Sequence, residues 1–385
     1  MTSTVAVPPN VIRIQRELRR ARNYLDQGNS LAASVVAETL TRQFPQFGLG
    51  WFYRSLAEAA EARLLDAVAS ATRAAALEPD RPEVFAHLAR CHMLRGDAHL
   101  ALLAVRKAAS LPMDDVPLID RVATVLTQFG DAAAALPLFA RAIAIDAANP
   151  TLHFNHGTAL RVLGQVDEAR VQFERAIELA PDFAKAHWAI ADLAQTPSEA
   201  GRIARLEAAR VLLVPDSEPM AILDNALFKE LDRAGQYLAA AQALANANST
   251  MRGIVRFDSS REGELFALLD KHADTLLSSI APDVAATRAE APVPIFVLGM
   301  PRSGASLVER LLGNHPDVRL GGELQDFNVS VKRELGIEAA AFMDLRIAAR
   351  LGEVDWQRVG NAYRERLRER FGSGGFVTDQ LPGNT

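Results

Sequence analysis

Small and apolar residues recur along the first two thirds of the chain at intervals of 34 positions. Glycine occupies one position of this period in four units, at Gly28, Gly96, Gly130 and Gly164. Ala62 occupies the same position in the one remaining unit. Small or apolar residues follow five and twelve positions later: Ala33, Ala67, Ala101, Ala135 and Ala169, then Leu40, Ala74, Ala108, Ala142 and Ala176. Small side chains let two helices approach closely, and glycine permits a turn with positive φ. The pattern therefore predicts a series of helix–turn–helix units.

Proline and larger apolar residues complete the units. Seventeen positions after the glycine slot, a proline ends the second helix in three units, at Pro45, Pro79 and Pro181. Larger side chains such as Phe173 fill the space that the alanines leave between the helices. No unit can bury its apolar face alone, so neighbouring units must stack into a solenoid with a concave surface. With a degenerate unit and a further copy near its end, we expect this α-solenoid to span residues 10–250.

The pattern changes after residue 250. A helical connector and an alanine- and proline-rich linker are expected over residues 251–291. The apolar run Ile295–Leu298 then predicts a strand, which a glycine-containing loop and a helix near 304–313 follow. A second helix over 354–371 and a short strand over 375–379 come next. The order strand–loop–helix–helix–strand indicates the opening of an α/β domain.

The loop after the first predicted strand has the outline of a phosphate-binding loop. Gly299, Gly304 and Ser306 match fixed positions of the pattern G-x-x-x-x-G-K-[ST], and Ala305 stands where the lysine would be. Successive backbone N–H groups and the start of the following helix suit anionic oxygens. Positive charge would come from Arg302 inside the loop, whose forked donors match phosphate or sulfate. The missing lysine and the missing aspartate-bearing Walker B strand argue against a nucleotide kinase.

Two stretches of the sequence resemble known families. The segment "GQVDEARVQFERAIELAPDF" (164–183) is similar to the tetratricopeptide repeat, and "FVLGMPRSGASLVERLLGNHPDVRLGGE" resembles the start of a sulfotransferase domain. The combination resembles the bacterial tetratricopeptide-repeat sulfotransferase proteins, including their tyrosylprotein-sulfotransferase-like branch. The resemblance implies a mostly α fold: a tetratricopeptide α-solenoid followed by the N-terminal part of a P-loop-like α/β sulfotransferase domain. We expect that domain over residues 292–385, C-terminally truncated.

The same resemblance implies a binding site for a sulfuryl donor. The loop would bind the 5′-phosphosulfate of 3′-phosphoadenylyl sulfate (PAPS), without a metal ion, through Pro301, Arg302, Ser303, Gly304, Ala305 and Ser306. Glu323 stands where the tyrosylprotein-type enzymes have their catalytic base, which takes the proton of the acceptor hydroxyl. Arg302 would be the second catalytic residue, because its charge offsets that of the transferring group. The sequence departs from the family at Ala305, where a threonine is usual, and at Gln380, where a lysine is usual.

The resemblance thus implies an enzyme that transfers a sulfuryl group from PAPS to a hydroxyl acceptor, protein tyrosine being one such acceptor. The repeats would be a scaffold whose concave groove binds a protein or peptide acceptor. Candidate groove residues are Asn155, His156, Arg161, His187 and Trp188. The alternative is a tetratricopeptide interaction scaffold that carries an inactive or truncated sulfotransferase half.

Three residues near the predicted site have simpler interpretations as well. His315 precedes Pro316 at a predicted helix end, where a capping or surface role is favoured over catalysis. Asp379, at the end of a predicted strand, could orient donors of the loop or act as a turn residue. Arg319 could contact substrate or be an ordinary surface charge.

Composition limits the partners and the compartment. The 385 residues carry a formal net charge of −5, which gives no general case for binding nucleic acid or an anionic membrane. Cys91 is the single cysteine and cannot form an internal disulfide, and the N-terminal residues lack the pattern of a secretory signal. No window reaches the roughly 18 apolar residues of a membrane span. We therefore expect a cytoplasmic protein, with its oligomeric state left open.

Overall fold

The computed structural model describes residues 9–193, 200–255, 257–278, 291–300, 303–337 and 345–381. These residues are mostly helical, with a small sheet in the last part. They fall into two compact units. The first contains the described residues up to 79, residues 87–103 and the described residues from 259 onward, and the second contains residues 80–86 and 104–258.

The repeat region consists of helices joined by short turns. They are α1 (Pro9–Asp26), α2 (Ser30–Gln43), α3 (Gly48–Ala60), α4 (Leu64–Leu77), α5 (Pro82–Leu94), α6 (Ala98–Ala109), α7 (Val116–Gln128), α8 (Ala132–Ile145), α9 (Pro150–Val162), α10 (Val166–Leu179), α11 (Ala184–Leu193), α12 (Ala200–Leu212), α13 (Glu218–Arg233) and α14 (Tyr237–Ile254). The glycines of the 34-residue period all lie in turns with positive φ, from 72° at Gly28 to 80° at Gly130. Ala62, in the slot without glycine, has a φ of 58°. The predicted helix–turn–helix series is confirmed.

The alanine columns lie where the helices touch. Ala142, Ala169 and Ala176 are fully buried, as the sequence predicts for positions of close helix approach. Phe173 fills the space beside them and is itself fully buried. A Cβ atom at Gly157, on α9, would lie 2.7 Å from the Phe173 ring. The packing of α9 against this ring therefore needs a residue without a side chain.

The degenerate unit and the further copy near the end of the repeats pack as one body. Leu206 of α12 shares an apolar core with Leu223 and Leu227 of α13. Ala240 and Ala243 of α14 close the same core. The segment that lost its sequence periodicity has therefore kept its place in the packing.

The last described residues form a parallel sheet with covering helices. The elements are α15 (Ser259–Ser278), β1 (Val293–Phe296), α16 (Ala305–Leu312), β2 (Val318–Arg319), α17 (Asp326–Glu334), α18 (Leu345–Ala348), a 3₁₀ turn (Leu351–Glu353), α19 (Trp356–Phe371) and β3 (Phe376–Asp379). The strand order is β1-β3-β2 and both pairings are parallel. Phe376 of β3 faces Val293 of β1 on one side and Val318 of β2 on the other. The sequence predicted β3 and the helices α16 and α19, and its strand over Ile295–Leu298 overlaps β1 in two residues. It missed α17, α18 and β2, whose two residues are too few to show alternation.

Two small apolar cores lie in this part of the chain. Leu324, Leu367 and Val377 are fully buried in the first, beside the ring of Tyr363. The second joins α17, α18 and the start of α19, where Val359 is buried. Val359 and Tyr363, both buried, are four residues apart and lie on one face of α19.

The turn between α5 and α6 contacts α17 and α19 within the first unit. Asp97 Oδ1 accepts hydrogen bonds from Nη1 and Nη2 of Arg366, both at 3.0 Å, and from Arg333. Arg366 also donates to the carbonyl oxygen of Gly96 at 3.2 Å. Burial alone would raise the pKa of Asp97, but the adjacent His92, Arg333 and Arg366 lower it to about 2. A buried, ionised carboxylate therefore holds this turn to the two helices.

Candidate functional site

The predicted donor loop lies between β1 and α16. A Cβ atom at Gly299 would lie 2.5 Å from the Ser303 hydroxyl, so a larger residue there would require this hydroxyl to move. Gly304 is the N-cap of α16 and has a φ of 97°, which favours glycine. Among the described residues, no side chain caps the first turn of α16. The start of α16 thus lacks a side-chain cap, and helix N-termini of this kind suit an anion.

The six predicted donor-binding residues are only partly covered by the structure. Ser303, Gly304 and Ser306 are exposed, and Ala305 is half-buried at the start of α16. Pro301 and Arg302 lie outside the described residues, so the charge that Arg302 would supply stays a prediction. Ala305 still offers its backbone N–H where the family has a threonine hydroxyl as well.

The predicted base lies in a short loop after β2. Glu323 is exposed and follows Gly321 and Gly322, whose N–H groups both donate hydrogen bonds. The N–H of Gly321 donates to the Thr378 hydroxyl at 3.0 Å. The N–H of Gly322 donates to a carboxylate oxygen on α16 at 2.8 Å, and its carbonyl oxygen accepts from the N–H of Gln380 at 3.0 Å. The loop that carries Glu323 is therefore fixed to β3 and to α16.

The parallel sheet brings the predicted site residues to one edge. All three strands run in the same direction, so their carboxyl ends meet at the same side. The donor loop follows β1, Glu323 follows β2, and Gln380 follows β3, which lies between the other two. Ligands of open α/β sheets bind outside the carboxyl ends of the strands. The topology thus brings together the loop, the predicted base and the position of the family lysine.

Asp379, the last residue of β3, connects this edge of the sheet to α19. It is fully buried, and its Oδ2 accepts a hydrogen bond from the Tyr363 hydroxyl at 2.9 Å while Oδ1 accepts from the N–H of Leu381 at 3.2 Å. Burial and the charge of Asp379 both raise the pKa of Tyr363, so its hydroxyl stays a donor. The Tyr363 ring stacks on Phe296, at the end of β1. Asp379 therefore links α19, the end of β3 and, through Tyr363, the end of β1.

Arg319 and His315 have structural contacts. Arg319 Nη2 donates to the carbonyl oxygens of Ser373, at 3.2 Å, and Gly374. It thereby holds the glycine-rich turn that leads into β3. His315 is exposed, and its Nδ1 accepts from the N–H of Asp317 at 3.2 Å, a local contact in the turn just past the end of α16.

The candidate groove residues of the repeats differ in accessibility. His187 is buried and its Nε2 lies 2.9 Å from the Pro181 carbonyl oxygen, so it belongs to the core. Asn155 donates to Asp120 and Arg161 donates to Asp192, at 2.8 and 3.2 Å. His156 is half-buried, and burial lowers its pKa.

Trp188 differs from these candidates because it lines an open cavity of about 430 Å³ in the second unit. Phe154, Ile222 and Met251 supply further apolar walls, and Asn225 accepts the indole N–H of Trp188 at 3.0 Å. Lys229 lies 4.5 Å from the centre of the indole ring. The cavity is therefore mostly apolar, with a few polar groups close to the indole ring.

Sequence reasoning missed Glu309 and Thr378, two buried polar residues behind the site. The Glu309 carboxylate is the acceptor for Gly322, and it also accepts the Thr378 hydroxyl at 2.6 Å. One signal was available in the sequence. Ala305, Glu309 and Leu312 share one face of α16 at helical spacing, and a glutamate on a face with two apolar residues calls for a buried partner.

Two family models match separate segments of the chain. Residues 294–371 match the sulfotransferase family, and residues 126–195 match the tetratricopeptide repeat. This is a protein with tetratricopeptide repeats and a sulfotransferase-family domain. The sulfotransferase match begins in β1 and ends with α19, so it includes the donor loop and Glu323.

Similar proteins include one curated relative and several solved repeat structures. An uncharacterized protein of Aquifex aeolicus (strain VF5) is 32% identical over 98 residues, which are 26% of this chain and 12% of that protein. The chain thus spans about an eighth of the length of this relative. YrrB, a tetratricopeptide-repeat protein with an unusual peptide-binding site, is 18% identical, with 54% of this chain and 96% of that one covered and a TM-score of 0.38. The C-terminal part of a repeat protein from Cytophaga hutchinsonii is 14% identical, with coverages of 60% and 95% and a TM-score of 0.47.

Membrane-spanning helices and metal-binding clusters are both absent from the described residues. No helix there is long and apolar enough to cross a membrane. No group of three or more His, Cys, Asp or Glu side chains in the same residues could hold a metal ion.

Proposed function

We propose that this protein is a sulfotransferase that moves a sulfuryl group from PAPS to a hydroxyl acceptor. One observation carries the proposal: the sulfotransferase-family segment has its glycine loop and Glu323 at the carboxyl edge of one parallel sheet, where Gln380 follows the central strand. The uncapped start of α16 suits the phosphosulfate oxygens. The proposal includes the domain limits 10–250, 251–291 and 292–385, and a cytoplasmic location.

In this proposal the donor loop binds the phosphosulfate through backbone N–H groups, and Arg302 balances its negative charge. The acceptor oxygen attacks the sulfur atom as its proton passes to the Glu323 carboxylate. A new O–S bond forms, the S–O bond to the donor phosphate breaks, and adenosine 3′,5′-bisphosphate leaves with the bonding electrons. Gln380 stands at the family's lysine position. Its amide can donate a hydrogen bond to the transferring sulfuryl group but supplies no positive charge.

The repeats would bind the acceptor as a protein or peptide. The support is the cavity around Trp188, whose apolar walls and exposed Lys185 suit a peptide with an aromatic and an acidic residue. A tyrosine flanked by acidic residues would satisfy both features.

An interaction scaffold without transferase activity is the second candidate. Gln380 and Ala305 favour it, because together they remove one positive charge and one hydroxyl donor from the family's site. In that case the loop would bind a nucleotide or nothing, and the repeats alone would carry the function.

Ligand-dependent stability distinguishes the two candidates. Adenosine 3′,5′-bisphosphate should raise the melting temperature of the full chain, by the equivalent of about 2.7 kcal/mol at a hundred times its Kd. Arg302→Ala should lose this shift, whereas Arg310→Ala, which removes an exposed arginine from α16, should keep it. No shift in the wild-type protein at millimolar ligand would favour the scaffold.

Transfer itself is measured with labelled PAPS and tyrosine-containing acidic peptides. Glu323→Gln should reduce the transfer rate by about 100-fold or more, because a general base contributes a factor of about 10² to 10⁴. The same variant should bind adenosine 3′,5′-bisphosphate as the wild-type protein does. A transfer rate of Glu323→Gln equal to that of the wild-type protein would show that Glu323 is not the catalytic base.

A further inference from the structure

Helix α16 buries a charged residue and exposes apolar ones. Glu309 is only 5% exposed, whereas Leu307 and Leu311 are 64% and 62% exposed. Burying a carboxylate is unfavourable unless hydrogen bonds replace its water, so its partners must compensate. The position of Glu309 is therefore explained by its contacts and not by apolar packing.

Those contacts join three elements at one oxygen atom. Glu309 Oε1 accepts the N–H of Gly322 at 2.8 Å and the hydroxyl of Thr378 at 2.6 Å. Thr378, fully buried in the central strand β3, accepts the N–H of Gly321 with the same hydroxyl oxygen at 3.0 Å. Hydrogen bonds that involve an ionised acceptor are roughly twice as strong as neutral ones. One carboxylate thus connects α16, β3 and the loop before Glu323.

The loop has little freedom to adopt another position. A Cβ atom at Gly321 would overlap the Thr378 carbonyl oxygen, which shows how closely the loop lies on β3. Gly322 has a φ of 68°, and its carbonyl oxygen is held by the N–H of Gln380. Glu323 is the next residue. Its backbone position is set by these bonds even though its side chain is exposed.

We propose that Glu309 is a positioning residue that fixes Glu323 relative to the donor loop, an inference that rests on the function proposed above. Glu309 is four residues from Ala305, so it lies about 6 Å along the same rigid helix whose start meets the donor. The donor loop and the base loop are thereby attached to one body. A displacement of about 1 Å between reacting groups can cost about 100-fold in rate.

The variants separate the hydrogen bonds from the charge. Glu309→Ala removes both bonds, Glu309→Gln keeps an acceptor oxygen in the same place, and Arg310→Ala is the control on the same helix. Glu309→Ala should lower kcat by about 10- to 100-fold with little change in the KM for PAPS, and Glu309→Gln should recover most of this loss. Where Glu309→Ala fails to fold, Thr378→Val, with Thr378→Ser as its rescue, removes the other half of the junction.

Hydrogen exchange tests the junction without any reaction. The amides of Gly321 and Gly322 should exchange at least 10-fold faster in Glu309→Ala than in the wild-type protein, and as slowly as wild type in Arg310→Ala. Unchanged exchange at these amides overturns the inference, and so does a kcat equal to that of wild type. Without transfer or nucleotide binding by the wild-type protein, the proposed function fails, and the exchange rates alone then decide whether Glu309 fixes the loop.

Discussion

Two turns of the repeat region have the same sequence and different surroundings. Gly96–Asp97 and Gly130–Asp131 occupy the same position of the 34-residue period, and their glycines have φ values of 74° and 80°. A Cβ atom at Gly130 would meet nothing within 4 Å, whereas one at Gly96 would overlap a methyl group of Val329. The repeat sequence therefore specifies the turn, and residues far along the chain decide what the turn binds.

The aspartates of the two turns differ in the same way. Asp131 pairs with Arg106 at 2.7 Å, and the two side chains are 22% and 55% exposed. The side chain of Asp97 is 2% exposed and meets Arg333 and Arg366. An ion pair at the surface competes with water and salt, whereas a buried one must be satisfied by its partners alone.

The largest expected difference is between Asp97→Ala and Asp131→Ala. Removing Asp97 breaks its hydrogen bonds with Arg333 and with Arg366, which keeps Asp326 as its remaining carboxylate, so we expect a loss of about 2 kcal/mol in the free energy of unfolding. Asp131→Ala should cost about 1 kcal/mol or less. Urea unfolding of the two variants measures both values. Equal losses would mean that the buried network adds nothing to stability.

Acid should distinguish wild type from Asp97→Asn. The folded-state pKa of Asp97 is lowered from 3.8 to about 2, so its contribution is present above pH 4 and is lost as the pH falls toward 2. At 1.36 kcal/mol per pKa unit this contribution is about 2 kcal/mol. The free energy of unfolding of the wild-type protein should fall more steeply between pH 4 and 2 than that of the variant. Parallel pH profiles would contradict the assignment.

The smallest expected difference is between the glycines. Gly130→Ala should lower the free energy of unfolding by about 1 to 2 kcal/mol, because alanine is strained at positive φ. Gly96→Ala should cost about 1 kcal/mol more, because the new methyl group must displace Val329.

A double-mutant cycle isolates that additional loss. The loss in free energy of unfolding of the Gly96→Ala and Val329→Ala double variant should be about 1 kcal/mol smaller than the sum of the two single losses. For Gly130→Ala combined with Val329→Ala, the loss should equal the sum. Strict additivity in both pairs would show that Val329 does not restrict the Gly96 turn.

The repeats could be predicted because their determinants are local and periodic. Ala169 and Gly164 act within one unit, and the same small residues return after each period. The donor loop could be recognised for a similar reason, since Gly299, Gly304 and Ser306 lie within eight residues. The roles of Arg302 and Glu323 in a reaction stay predictions.

The remaining features depend on contacts between distant positions. Thr378 lies 69 residues after Glu309, and Arg333 lies 236 residues after Asp97. A single polar residue that meets a partner at such a separation leaves no periodic trace in the sequence. Strand β2 escaped prediction for a different reason, because its two residues are defined only by their pairing with β3.

The strand order β1-β3-β2 also determines when the sheet can form during synthesis of the chain. Neither outer strand pairs with the other, so the sheet cannot assemble until its central strand has left the ribosome. β1 ends at Phe296 and β3 starts at Phe376, about 80 residues later, which is roughly 4 to 16 s at 5–20 residues per second. For that interval the nascent donor loop has no sheet to attach to. The repeats, whose helices pair with near neighbours in the chain, can fold as they emerge.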